Sequence, residues 1–359
     1  MYSDSDLEAA VTAGALSPQE AQRFRDYMAS TRSMPAVDEE HFRLLTGFND
    51  IFVAIAAAIL LFAMAWIGNS AGLQVEPGGP SPLAGLFVAA TAWGLAEFFT
   101  KKRRMALPSI LLLLAFVGGT LFASALTLLL VVGEQALERN ENLAGLLAAG
   151  SAAVATGAAW LHWRRFRVPI TIAAGAAAAV GVVLGLIAYA MGPSDSLQNV
   201  LLGFALLLGI GVFLFAMWWD SSDPRRETRR SDVAFWLHLL AAPLIVHPIF
   251  SLLGLTDGNA TAGEAVIVLL VYVVLGLTAL AIDRRALLVS ALAYVLWALT
   301  DLFERFGAVE LSFALTALVI GSALLLLSAF WHNVRRAVVR PLPSGLQAKL
   351  PVLDRPAAA

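Results

Sequence analysis

The chain has 359 residues, of which 59% are hydrophobic and 14% charged, with a mean hydropathy of +0.77. That balance excludes an ordinary soluble domain and predicts an all-α, polytopic transmembrane helical bundle. The net charge of −2 says little as a total, whereas the lack of cysteine excludes disulfides, thiolate catalysis and cysteine-ligated metals.

Residues 1–46 are polar and show no basic start followed by an apolar core, so no cleavable signal peptide is expected and the first membrane helix should stay as an anchor. The stretch "SDSDLEAAVTAGALSPQEAQRFRDYMAS" reads as a hairpin of two short helices. Gly14 ends the first. Ser17 caps the second, with Pro18 at the first helical position and Glu20 closing a capping box. Leu7, Val11, Leu16, Phe24 and Met28 are expected to pack the pair together. In residues 1–33, Arg23, Arg25 and Arg32 are outnumbered by Asp4, Asp6, Glu8, Glu20 and Asp26, the wrong sign for phosphate contact. A cytoplasmic protein partner is expected there, and no nucleic acid.

Further along, about ten apolar runs are long enough to cross ~30 Å of hydrocarbon. They lie near 50–68, 82–99, 108–132, 143–161, 169–191, 199–219, 232–254, 265–282, 286–302 and 311–331. Short polar connections imply antiparallel hairpins. The predicted organisation is a helical hairpin and linker over 1–46, a transmembrane domain over 47–333 and a basic tail over 334–359.

Orientation follows from lysine and arginine. "KKRR" at 101–104, "RRFR" at 164–167, "RRETRR" at 225–230, "RR" at 284–285 and "VRRAVVRP" from 334 share one side with the N-terminal region. Only Arg139 and Arg305 of the 24 basic residues fall on the other, which carries Glu134, Glu138, Glu141, Asp257, Glu264 and further acids. The positive-inside rule then puts both termini in the cytoplasm of a cell inner membrane. Trp160, Trp163, Trp218, Trp219 and Trp331 fall at the cytoplasmic ends of their helices, where indoles prefer the headgroup layer. The basic clusters recur every 50 to 63 residues or roughly so, as a repeated hairpin would require.

Small residues crowd the fourth and fifth runs, and "GVVLG" offers a Gly-x-x-x-Gly spacing at Gly181 and Gly185 for close helix approach. Glu97 has Lys101 as its i+4 partner. In the seventh run, "FWLHLLAAPLIVHPIF" places His238, Pro243, His247 and Pro248 inside hydrocarbon. At about 100° per residue the two histidines lie on nearly opposite faces, so they cannot chelate one ion together. Two readings stay open. In one, the helix is broken at Pro243 and Pro248 as hinges, and its histidines relay protons or hold a substrate. In the other, each neutral imidazole donates to a carbonyl and the prolines only shape the bundle. The ninth run is short, and Asp301 at its end either sits at the interface or is drawn into the membrane. Asp283 is expected to neutralise a tight turn beside Arg284 and Arg285, and His162 and His332 to be ordinary interfacial residues. The candidate substrate or proton contacts are therefore His238, His247, Glu97 and Asp301. No phosphate-binding loop, H-E-x-x-H helix or G-x-S-x-G elbow is present, so no enzyme activity, cofactor or metal is expected.

"LEAAVTAGALSPQEAQRFRDYM", "TGFNDIFVAIAAAILLFA", "LAEFFTKKRRMALPSILLL", "DVAFWLHLLAAPLIVHPIF" and "SAFWHNVRRAVVRPLPSGLQAKLP" resemble the bacterial membrane proteins of the domain of unknown function 2157. The resemblance implies an inner-membrane location and transfers no functional residue. The span plan is also similar to that of drug/metabolite transporters with two sets of five helices. Together these readings lead to a permease-like carrier of a small molecule or ion, or to a non-transporting scaffold or sensor.

Overall fold

Inside hydrocarbon a backbone can satisfy its polar groups only within itself, so long apolar runs close into helices. The computed structural model bears this out for the runs that it describes. It describes residues 11–14, 16–24, 48–72, 74, 78–224, 226, 228–253, 262–285, 287–288, 292, 295–296, 300 and 312–353. The helices are α1 (Phe48–Asn69), α2 (Pro82–Ala96), α3 (Ala106–Val132), α4 (Leu143–Phe166), α5 (Ile170–Met191), α6 (Leu197–Ser221), α7 (Arg229–Leu252), α8 (Ala262–Ile282) and α9 (Ser312–Val339). No strand occurs among the described residues.

Among the described residues, eight helices are long and apolar enough to cross a membrane, namely α1 to α7 and α9. In α8 the apolar stretch Leu270–Ile282 is shorter, and the expected span at 286–302 lies largely outside the described residues. Large apolar side chains face outward along the bundle, among them Phe48, Ile59, Leu207, Val274 and Leu325. Such a belt is costly in water and costs nothing in lipid, so the fold fits an integral membrane protein.

Local chemistry sets the ends. Ser81 accepts a hydrogen bond from the Leu83 amide at 3.2 Å and Pro82 opens α2. Thr228 caps α7 in the same way through the Arg230 amide. At the N-terminal segment the expected capping box forms: the Ser17 amide donates to Glu20 at 2.9 Å, and the Glu20 amide donates to the Ser17 hydroxyl at 3.2 Å. Ala21 is buried and Val11, Leu16 and Phe24 are not fully exposed, while Leu7 and Met28 lie outside the described residues.

Four turns carry the basic clusters, and each contains one non-glycine residue with a left-handed backbone: Arg104, Arg167, Arg226 and Asp283. They recur about sixty residues apart, one per hairpin, which gives the repeat seen in the charge pattern a backbone counterpart. This end of the molecule is the basic end.

The closest pairings are α4 with α5, α6 with α7, and α2 with α3. Their backbones meet where side chains are absent. A Cβ on Gly185 would lie 2.7 Å from the Ala149 nitrogen, and one on Gly209 would lie 2.8 Å from the Leu244 Cβ. The expected role of Gly185 holds, while a Cβ on Gly181 would meet only the Ala152 side chain, at 3.3 Å. In α7, 56% of the apolar window is buried, against a third or less in every other span, so α7 is the inner helix of the described bundle. It packs on both α5 and α6.

Candidate functional site

On α6, Gly209, Val212, Ala216 and Asp220 are the buried residues. Their spacing of three or four puts them on one stripe, and Asp220 continues it as the carboxylate nearest the basic end. α7 crosses that stripe with Ser231 and His238, both fully buried. The left-handed turn at Asp283 swings Arg284 back under α8 into the same place, where its whole side chain is buried.

The contacts are specific. Arg284 donates to Asp220 through Nη2 at 2.7 Å and Nε at 3.3 Å, a two-pronged pairing, and also to the Ser231 hydroxyl at 3.0 Å and carbonyl at 3.1 Å. His238 Nε2 lies 3.3 Å from the second Asp220 oxygen, and the Phe213 ring stands edge-on to the imidazole at 5.3 Å. Because an ionised carboxylate only accepts, Nε2 is the donor in this contact, and in a neutral ring Nδ1 is then a bare acceptor. His238 Nδ1 is buried and has no hydrogen-bond partner among the described residues.

A second cluster abuts the first. Asp283 sits 3.4 Å from Arg226 and 3.7 Å from Arg335, and accepts from the Trp331 indole at 2.7 Å. Arg226 further donates to the Ile282 and Asp283 carbonyls at 3.0 and 2.9 Å. Arg335 reaches the Pro351 and Val352 carbonyls at 2.6 and 3.1 Å, and the Val352 amide donates to the Pro224 carbonyl at 3.3 Å. Asp223 accepts from the Thr228 amide and hydroxyl, closing the α6–α7 turn. The basic end of α6 to α9 is thus a buried ionic lattice tied to the C-terminal strand of chain.

Two expectations are corrected here, and one is extended: Asp283 sits in its left-handed turn beside Arg284 and Arg285, and its carboxylate also pairs with Arg226 and Arg335. Trp331 is no headgroup-layer indole: it is 2% exposed and its N–H is spent on Asp283, whereas Trp160 and Trp218 do project outward. His162 is fully buried rather than interfacial, with Nδ1 3.2 Å from the Thr171 hydroxyl and the Trp93, Phe116 and Phe166 rings around it.

The residues singled out from sequence fall in different places. His238 is in the cluster. His247 is exposed, as is Pro243, while Pro248 is buried, and α7 is helical through both prolines. Glu97 starts a π turn (Glu97–Lys102) that prolongs α2 and receives a two-pronged pair from Arg165 at 2.6 and 2.8 Å, with Lys101 at 3.7 Å. Asp301 lies outside the described residues. No group of three or more His, Asp or Glu placed to hold a metal occurs among the described residues. Compared with protein-family models, curated proteins and solved structures, the chain gives no match.

Sequence reasoning missed Asp220 and Arg284. Asp220 follows two tryptophans at a helix end and reads as interfacial, and the charge rule counts Arg284 as a loop cation. The signal that would have found Asp220 is its register with Gly209, Val212 and Ala216.

Proposed function

We propose that the chain is a permease-like inner-membrane carrier of a small molecule or ion, with both termini in the cytoplasm, whose inner gate is the Asp220–His238–Arg284 cluster. The observation that carries this reading is the unpartnered Nδ1 of His238, buried in the most buried span beside a carboxylate already shared with a guanidinium. Ionisable groups within a membrane bundle are costly and mark pathways or relays by default. A proton arriving at Nδ1 makes His238 a cation that competes with Arg284 for Asp220. Arg226 and Arg335 are close by, with Asp283 between them, so added positive charge falls on a lattice already rich in arginine. The Arg284 link from the α8 turn to α6 would weaken, which is a change an inner gate needs.

The absence of native cysteine gives a direct test. Ala242 is fully buried on α7 against Ala279, Leu280 and Trp331. In sealed vesicles, Ala242→Cys and His238→Cys are expected to react with a membrane-impermeant maleimide, since an alternating carrier must hydrate this face. Thiols that stay unmodified in folded protein yet react after denaturation sink the carrier. The reading then favoured is a scaffold or sensor whose N-terminal hairpin docks a cytoplasmic partner, as the resemblance to domain of unknown function 2157 would equally allow.

A further inference from the structure

The two halves of the chain treat their basic turns differently. In the second half, Arg226, Arg284 and Arg335 are at most 2% exposed and meet Asp220 or Asp283. In the first half, the Glu97–Arg165 pair joins the end of α2 to the end of α4, Lys101 shares the same carboxylate, and Asp50 at that end of α1 is buried. The other cations of these two clusters stay outside. Lys102, Arg103, Arg164 and Arg167 are exposed, and none has a hydrogen-bond acceptor among the described residues. Each lies over an aromatic ring instead. Lys102 and Arg103 are 6.0 and 5.5 Å from the centre of Phe98, Arg164 is 5.0 Å from that of Trp160, and Arg167 is 5.4 Å from that of Trp163.

A ring beneath a guanidinium takes up its face and leaves the N–H groups along its edge for an oxygen acceptor. The order along the helix adds a second selection. Trp160 comes four residues before Arg164 on α4, so the indole is rooted about 6 Å further from the basic end than the guanidinium. Phe98 stands in the same order, one turn before Lys102. Both rings are open, Trp160 being 59% and Phe98 43% exposed. The surface thus offers rings at one depth and cations without an acid partner a turn nearer the end. A phospholipid has the matching order, with glycerol and acyl chains beneath a phosphate, and cations with no acid of their own favour a headgroup of net negative charge over a zwitterionic one. A soluble polyanion would use the cations alone. We propose that the ends of α2 and α4 form a binding surface for anionic phospholipid headgroups of the leaflet at the basic end, with Arg164, Arg167, Lys102 and Arg103 on the phosphate oxygens. This surface requires a bundle in a membrane but no transport, so it stands independently of the carrier.

The test places the full chain in phosphatidylcholine vesicles with a small fraction of photoactivatable phosphatidylglycerol or phosphatidylcholine, the reactive group near the glycerol, and maps the crosslinked peptides by mass spectrometry. Phosphatidylglycerol is expected to label 98–104 and 160–167 about fivefold more than phosphatidylcholine does, the effect of one basic side chain near an anionic headgroup. Replacing Lys102, Arg103, Arg164 and Arg167 together by Gln should remove that preference. Replacing Arg229, Arg230, Arg340 and Lys349 by Gln, an equal loss of exposed charge at the same end, should leave it unchanged. Trp160→Ala, which takes the stack from Arg164, should lower it about twofold. Equal labelling of these segments by the two lipids on the unaltered chain overturns the proposal without need of any variant. An equal loss in both Gln sets does so too, since it would mean a diffuse basic belt, as does suppression of the labelling by excess soluble glycerol phosphate, which would mean a site for free phosphate. Failure of either lipid to label any span would instead sink the membrane placement itself.

Discussion

Asp220 is the residue on which most depends at the basic end, since its carboxylate meets Arg284 and His238 together. Removing one partner of a buried pair strands the other charge, which costs roughly 3–5 kcal/mol. Asp220→Asn is therefore expected to lower stability by that amount in equilibrium unfolding from mixed micelles. The double replacement Asp220→Leu with Arg284→Met should cost less than the sum of the singles, because neither charge is left alone. Glu97 offers the contrast. Its bond with Arg165 is short and two-pronged, but both side chains are well over a quarter exposed, so Glu97→Gln should cost far less than Asp220→Asn. A Glu97→Gln loss as large as that of Asp220→Asn would contradict this ranking. At the N-terminal segment, the Ser17 hydroxyl and amide hold the Glu20 carboxyl below its ordinary value. That contribution is present above the usual carboxylate range and lost as pH falls through the lowered value, so the protection of the Glu20 amide, its exchange rate measured against the intrinsic rate at the same pH, should fall on acidification and stay constant with pH in Ser17→Ala.

At the scale of elements, the pairings of helices rest on where side chains are missing. Pro248 has no N–H to give the Leu244 carbonyl, which in a helix would receive one from four residues on. Gly209 of α6 lies against that same carbonyl, with a Cβ position 2.9 Å away. The glycine lets a helix backbone cover the place where the proline has left an acceptor open. Gly209→Ala should then force α6 from α7 and cost about 1–3 kcal/mol, as overpacking does. Gly211, two residues on, meets nothing within 4 Å, and Gly211→Ala should be neutral or slightly stabilising. Equal thermal midpoints for the two variants would refute the close approach. Eight of the ten expected spans were legible in sequence, because hydrocarbon thickness fixes run length and forbids other structure. Partner choice was not. Glu97 with Arg165 and Asp220 with Arg284 are 68 and 64 residues apart, and both join the end of one helix to the end of the helix two further on. That equivalence supports the repeated hairpin inferred from charge spacing, yet no local pattern reveals that one pair is buried and the other open. His238 could be read from sequence as an ionisable residue in an apolar run. Its counterpart Asp220 is marked only by its register with Gly209, Val212 and Ala216, a faint signal because helix ends hold acids for many reasons.

Over the whole molecule, the chain is closed by its own C-terminal segment. The basic stretch after 334, expected as a tail, continues α9 to Val339 and then folds back so that Pro351 and Val352 meet Arg335 and the Pro224 carbonyl of the α6–α7 turn. Arg335 is 2% exposed, and Asp283, a charge partner 3.7 Å away, also serves Arg226 and Trp331. Deleting residues 351–359 removes both carbonyls and opens this cation to water. Hydrogen bonds to a charged group contribute about 1.5–3 kcal/mol each, part of which water restores on exposure. The truncated chain should lose a few kcal/mol at most and should lose it locally, at the α6–α7 turn and the end of α9. Hydrogen exchange resolved by segment distinguishes the cases. Faster exchange confined to 222–230 and 331–340 is the expected result, with α1 to α4 unaffected. Uniform acceleration would mean that the C-terminal segment supports the entire bundle, and no change would mean that the lattice of Arg226, Asp283 and Trp331 holds the basic end without it.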